Sequence, residues 1–212
     1  MDMPAEFGFY AILTDPVRGY EYVTRAIVDH QVAFVQLRMK RALEKDVRST
    51  AETMRRITEG TKTRFIVNDY PDIAVAVGAD GVHVGQDDIS VDKVRDITGG
   101  DTLVGLSTHS PRQTSEACDL PVNYIGIGPV YKTPTKDIPD PQIGLKGMRA
   151  MLDIATVPAV CLGGISLEHL PLVLENGAKN FSLVRPLCSS SEPEKVLSQI
   201  TRISKEFGIS SP

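Results

Sequence analysis

Asp69 and Asp88 each follow a short apolar run (64–67 and 81–84), and Arg38 and Lys40 follow another (33–37). Carboxylates from two segments beside an arginine and a lysine suit a magnesium ion and a phosphate group. Mg²⁺ takes one or two carboxylates and completes its shell with phosphate oxygens and water. Arg offers a planar fork to such oxygens and Lys a point charge. Alternation along Gln36-Leu37-Arg38-Met39-Lys40 puts Gln36, Arg38 and Lys40 on one side of an extended segment. Structural readings compete: the basic pair as a solvated strand end, and the aspartates as helix N-caps, Asp69 before Pro71 and Asp88 before a helix near Val91. Asp87 rivals Asp88 as the ligand. His83, inside GVHV, reads as a hydrogen-bonded core histidine or a site residue. Ser107 can donate to a phosphate oxygen or cap the helix beginning near Pro111.

A second group lies further along. Gly128–Lys136 carries Thr133, Thr135 and Lys136, two hydroxyls and an ammonium spaced like an anion clamp, but without the GxxxxGK[ST] of a P-loop. Gly163-Gly164 and Val184-Arg185 follow the last two apolar runs, and paired glycines let backbone N–H groups approach an anion. A plain tight turn is the alternative there. Arg38, Lys40 and Lys136 set three positive charges against Asp69 and Asp88. One Mg²⁺ and a diphosphate of about −3 would bring that cluster near neutrality. Two phosphorylated reactants, one carrying a diphosphate leaving group, fit this distribution.

These residues need a frame that brings strand ends together. Eight apolar runs recur: 9–14, 33–37, 64–67, 81–84, 102–106, 123–127, 158–162 and 180–184. Helix-like stretches alternate with them at Tyr20–His30, Leu43–Ile57, Asp72–Val77, Val91–Ile97, Pro111–Cys118, Leu145–Ile154, Leu167–Asn176 and Pro193–Phe207. Alternation of this kind predicts parallel βα units, and nearly continuous apolarity suits strands buried on both faces. A count of eight favours a closed (β/α)8 TIM barrel, an α/β fold, as a single domain over 1–212. An open doubly wound sheet would show GxGxxG after its first strand; Thr14-Asp15-Pro16 stands there instead. In a barrel, the residues singled out above all lie at the mouth formed by strand C-termini. Lys132–Gly144, with three prolines, would be a long loop on that face.

Composition excludes other classes. With 42% hydrophobic and 24% charged residues the chain reads as globular. A net charge of −4 and no basic run argue against nucleic acid. No apolar run approaches the roughly 18 residues of a membrane span, and MDMPAEFGFY lacks the features of a signal peptide. The three cysteines form no CxxC pair and read as reduced thiols in the cytoplasm.

Several stretches together resemble the thiamine-phosphate synthase (thiamine-phosphate pyrophosphorylase) family: VQLRMK (35–40), IVNDYPDIAVAVGADGVHVGQDD (66–88), VGLSTH (104–109), YIGIGPVYKTPTK (124–136), CLGGIS (161–166) and NGAKNFSLVRPL (176–187). The resemblance runs from about residue 8 to 205. It implies a (β/α)8 barrel and a transferase that joins a 4-amino-2-methyl-5-hydroxymethylpyrimidine diphosphate to a thiazole phosphate. It also implies that Arg38, Lys40, Asn68 and Lys136 hold the diphosphate and that Asp69 and Asp88 bind Mg²⁺. Ser107 would contact the pyrimidine substrate, with Gln36 and His83 near its ring. Thr133, Thr135, Gly164, Val184 and Arg185 would line the thiazole-phosphate end. The chain departs from the family at Met39, where Glu is frequent, and at Arg185 and Pro186, where small residues are usual. A thiazole tautomerase-like paralogue and a non-catalytic phosphate-ligand sensor on the same barrel are the alternatives. The implied partners are small phosphorylated substrates, not nucleic acid or membrane, with room for a homo-oligomer.

Overall fold

The structure is a computed structural model that describes residues 3–133 and 141–209. Eight parallel strands close into a barrel in chain order. They are β1 (Gly8–Leu13), β2 (Phe34–Leu37), β3 (Arg64–Asn68), β4 (Gly81–Val84), β5 (Leu103–Thr108), β6 (Tyr124–Ile127), β7 (Ala159–Cys161) and β8 (Asn180–Phe181). The helices that return the chain are α1 (Tyr20–Asp29), α2 (Glu44–Thr58), α3 (Pro71–Val77), α4 (Val91–Thr98), α5 (Pro111–Cys118), α6 (Gly144–Ile154), α7 (Leu170–Glu175), α8 (Val184–Cys188) and α9 (Pro193–Glu206). The expected (β/α)8 barrel is therefore present.

Strand periodicity sorts the apolar residues into two shells. Tyr10, Phe34, Ile66, Leu103, Tyr124 and Val160 point inward and fill the barrel. Their neighbours Ala11, Val35, Phe65, Val82, Val104 and Ile125 point outward under the helices. Helix spacing supplies the other half of the outer shell. Val47, Ala51, Met54 and Thr58 form the buried stripe of α2, and Val196, Leu197, Ile200 and Ser204 that of α9. Each large apolar side chain so buried contributes roughly 1.5–3 kcal/mol, so the two shells dominate the fold.

Polar anchors cluster at the opposite end of the barrel from the mouth. Asp80 accepts from Phe65 N (2.7 Å) and pairs with Arg55 (3.2 Å), while Arg95 holds Thr102 O and Asn123 Oδ1, each at 2.6 Å. The division leaves stability to one end and frees the other for chemistry.

One expected element changes. The run 180–184 reads as a strand, but β8 ends at Phe181 and Val184 opens the extra short helix α8. Val184 and Arg185 thus stand in the first turn of a helix beside the mouth.

Candidate active site

The strand C-termini open into a cavity of about 420 Å³. Register brings the inward side chains to it in order: Gln36 pairs with Ile66, Asn68 with His83, His83 with Gly105, and Ser107 with Gly126. Gln36, Arg38, Asn68, His83 and Ser107 line one side of it. Thr133, Gly164, Val184 and Arg185 line the other. Thr135 and Lys136 lie outside the described residues.

Lys40, Asp69 and Asp88 do not line the cavity wall; they meet as a cluster. Lys40 Nζ lies 2.5 Å from Asp69 Oδ2 and 3.5 Å from Asp88 Oδ2. The capping alternatives fail for both aspartates. Ser90 caps α4 through Lys93 N, and α3 begins after Tyr70 with no side-chain cap. Asp88 is instead tied into its own turn, its Oδ2 accepting from Gly85 N at 2.8 Å. That bond turns Asp88, rather than Asp87, toward Lys40.

Asp69 is the strained member. It has φ +67°, a left-handed conformation that a non-glycine residue adopts at a cost of order 1–3 kcal/mol. Its Oδ1 is buried with no hydrogen-bond partner. Burial pushes the Asp69 carboxyl up to about 6, Lys40 opposing and Asp88 adding to the rise. Burial also raises Asp88, but hydrogen bonds with Asp69, Gly85 N–H and Lys40 outweigh it and hold that carboxyl below its usual value. The two carboxylates therefore share one electrostatic environment, and a partnerless oxygen within it suits a hard cation.

Ser107 is not the cap of α5; Ser110 fills that role through Gln113 N at 3.2 Å. The Ser107 hydroxyl lies 2.9 Å from His83 Nε2. His83 is both a hydrogen-bonded core residue, 6% exposed, and part of the cavity wall, so its two readings are compatible.

The paired glycines answer to packing. A Cβ on Gly163 would lie 2.5 Å from Pro129 Cα, and one on Gly164 2.6 Å from Tyr131 O. Their φ values of +94° and +68° exclude side chains further. The β6–α6 loop backbone thus lies against this turn. Both described ends of that loop are fastened, Ile143 N to Pro129 O at 2.9 Å and Gly144 N to Val130 O at 3.1 Å.

Sequence reasoning missed several lining residues. Ile12 and Thr14 alternate inward from β1, and His109, Lys132, Leu162 and Ser182 also face the cavity. Period-2 alternation carried one residue further along each strand would have found Thr14, Leu162 and Ser182.

A family model described as thiamine monophosphate synthase matches residues 10–187. The chain belongs to the thiamine monophosphate synthase family. The thiamine-phosphate synthase of Lawsonia intracellularis is 37% identical over 185 residues, covering 85% of each chain. That of Caldicellulosiruptor saccharolyticus is 36% identical, covering 87% of this chain and 84% of its own length. Among solved structures, the thiamine phosphate pyrophosphorylase of Pyrococcus furiosus superposes with a TM-score of 0.86 at 25% identity, over 95% of this chain and 96% of that one. A 3-hexulose-6-phosphate synthase shares the barrel alone, with a TM-score of 0.66 at 15% identity. The family's enzymes are transferases of thiamine biosynthesis, in keeping with a site built for phosphorylated ligands. No described helix is long and apolar enough to cross a membrane.

Proposed function

We propose that this chain is a thiamine-phosphate synthase. It condenses 4-amino-2-methyl-5-hydroxymethylpyrimidine diphosphate with 4-methyl-5-(2-phosphoethyl)thiazole, giving thiamine phosphate and diphosphate. The observation that carries this reading is the Asp69–Lys40–Asp88 cluster beside a cavity lined by Gln36, Arg38, Asn68 and Ser107. Three free cysteines support a reducing, cytoplasmic setting.

Asp69 and Asp88 would hold Mg²⁺, a role suited to the buried, partnerless Asp69 Oδ1. The ion when bound would neutralise charge that builds on the departing diphosphate. Arg38, Lys40, Asn68 and Lys136 would grip the diphosphate oxygens, the arginine as a fork and the lysines as point charges. Ser107 would donate to the same substrate, with Gln36 and His83 beside its ring. Thr133, Thr135, Gly164, Val184 and Arg185 would receive the thiazole phosphate.

The chemistry that suits these groups is dissociative. The C–O bond to the diphosphate breaks first and its electron pair leaves with diphosphate. The aminopyrimidine ring delocalises the positive charge on the methylene carbon, and the thiazole nitrogen lone pair then forms the new C–N bond. No proton needs removal for either step, so the residues act by positioning and by fixed charge.

The test is direct. Protein incubated with both substrates and Mg²⁺ should release diphosphate in step with thiamine phosphate. Folded protein that releases neither refutes the reading.

A further inference from the structure

A line of buried polar groups crosses the barrel beneath the cavity. Gln36 Nε2 donates to the Tyr10 hydroxyl at 3.1 Å, and the Tyr10 and Tyr124 hydroxyls are 2.7 Å apart. The Tyr124 hydroxyl lies 3.1 Å from His83 Nδ1, and His83 Nε2 lies 2.9 Å from Ser107 Oγ. Five strands contribute one group each. Gln36, His83 and Ser107 line the cavity, whereas Tyr10 and Tyr124, each 1% exposed, do not. Burial raises both phenols well above their ordinary range, so both keep their protons. Gly105 makes room for the crossing, because a Cβ there would lie 2.2 Å from Tyr124 Cζ and 2.5 Å from His83 Nδ1.

Hydrogen-bond counting permits two orders. In the forward order Gln36 donates to Tyr10, Tyr10 to Tyr124, Tyr124 to His83 Nδ1, and His83 Nε2–H to Ser107. Gln36 then shows its carbonyl oxygen to the cavity, and Ser107 is free to donate its proton there. In the reverse order every donor becomes an acceptor: Gln36 shows its NH2 and Ser107 spends its proton on His83. One mixed order, with both phenols donating outward, sets two bare hydroxyl oxygens 2.7 Å apart. The other, with Gln36 donating to Tyr10 and Ser107 donating to His83, leaves one of the two buried phenol O–H groups without an acceptor. An orphan of that kind is disfavoured by about tenfold or more. The two ends of the line therefore have to agree, although the barrel interior separates them.

We propose that Tyr10 and Tyr124 are positioning residues that hold this line in the forward order. The ring pocket then offers an acceptor at Gln36 and a donor at Ser107 together, and selects a ring bearing an exocyclic amine over its 4-oxo counterpart. The amine donates to Gln36 Oε1, while Ser107 donates to an anionic oxygen of the same substrate. The reverse order would face an amine with an amide NH2 and an anion with a lone pair. The identity of the ring rests on the function proposed above; the order of the line does not.

Two measurements test the proposal. ¹⁵N NMR of the ligand-free protein, with His83 assigned through His83→Asn, should show Nε2 protonated and Nδ1 bare. A proton on Nδ1 in the unmodified protein would overturn the proposal without reference to activity. Tyr10→Phe and Tyr124→Phe should each lower the kcat/KM preference for the aminopyrimidine diphosphate over its 4-oxo analogue about fivefold or more. The KM for the thiazole phosphate should stay within about twofold, since neither ring reaches that wall. Tyr124→Phe should also shift His83 toward mixed tautomers. Unchanged preference in a folded Tyr→Phe variant overturns the proposal; if one variant does not fold, the other and the unmodified tautomer decide. Absence of any turnover in the unmodified protein would refute the proposed function, while the tautomer would still decide the order of the line.

Discussion

The Lys40 ammonium stands 2.5 Å from the carboxylate of Asp69, a residue whose backbone is left-handed at φ +67°. A non-glycine residue in that conformation, with one carboxylate oxygen buried and partnerless, is a local cost that the barrel around it sustains. Such costs gather where function needs a group held in one place.

Asp69→Asn is expected to separate function from stability. Asn tolerates the left-handed region and carries no charge to bury. Diphosphate release should fall about 10²–10³-fold, the usual loss for a preorganised electrostatic contact, while the melting temperature stays the same or rises. Near-normal turnover would remove Asp69 from the proposed metal site.

Arg185→Ser tests the far wall. Arg185 is exposed in the first turn of α8 and lines the cavity. Steady-state kinetics should show the KM for the thiazole phosphate rising about 5–10-fold, as expected for a lost charge-assisted contact, and the KM for the pyrimidine diphosphate hardly changing. An equal effect on both would place Arg185 outside the thiazole pocket.

Gly163→Ala and Gly100→Ala form a matched pair. The first puts a methyl 2.5 Å from Pro129 Cα at φ +94°, whereas nothing lies within 4 Å of a Cβ on Gly100. Thermal unfolding should register a loss of about 2 kcal/mol or more for Gly163→Ala, from backbone strain and overpacking. Gly100→Ala should be close to neutral. Equal melting temperatures would mean that the β6–α6 loop does not press on the β7 turn.

Alkaline stability should report on the buried thiols. Burial raises Cys161 from 9.0 to about 12 and Cys188 from 9.0 to about 11. The unfolded chain ionises its thiols first, so above pH 9 it binds fewer protons than the folded chain. These two groups therefore favour folding fully below pH 9, and that contribution is lost as pH rises from 9 toward 12. Denaturant titrations between pH 8 and 11 should show a decline, shallower in Cys188→Ala. An identical slope in that variant would contradict a buried, raised Cys188.

The barrel was legible because its strands are buried on both faces. Nearly continuous apolar runs such as AFVQL (33–37) do not read as one-sided strands, and helix-like stretches alternate with them along the chain. Residues 184–188 were not legible as α8, since a five-residue helix carrying Pro186 has too little length for a helical period. Asp87 and Asp88 could not be told apart, because the choice depends on the Gly85 N–H bond to Asp88 and not on spacing. Tyr10 and Tyr124 read as core aromatics, and they are; only the meeting of their hydroxyls, 114 positions apart in the chain, shows what else they do.

β8 holds two paired residues on each side, Gly8↔Asn180 and Phe9↔Phe181 with β1, and Val160↔Asn180 and Cys161↔Phe181 with β7. The Asn180 side chain reinforces this seam, accepting from Phe7 N and Gly8 N and donating to Ala5 O. The shortest stave thus carries the wall where Val184 and Arg185 stand, while longer staves carry the aspartates and the tyrosine line. Amide exchange should breathe first along this joint. The half of the mouth that carries Val184 and Arg185 is therefore seated on the barrel's narrowest joint, where one amide side chain stands in for the missing rungs.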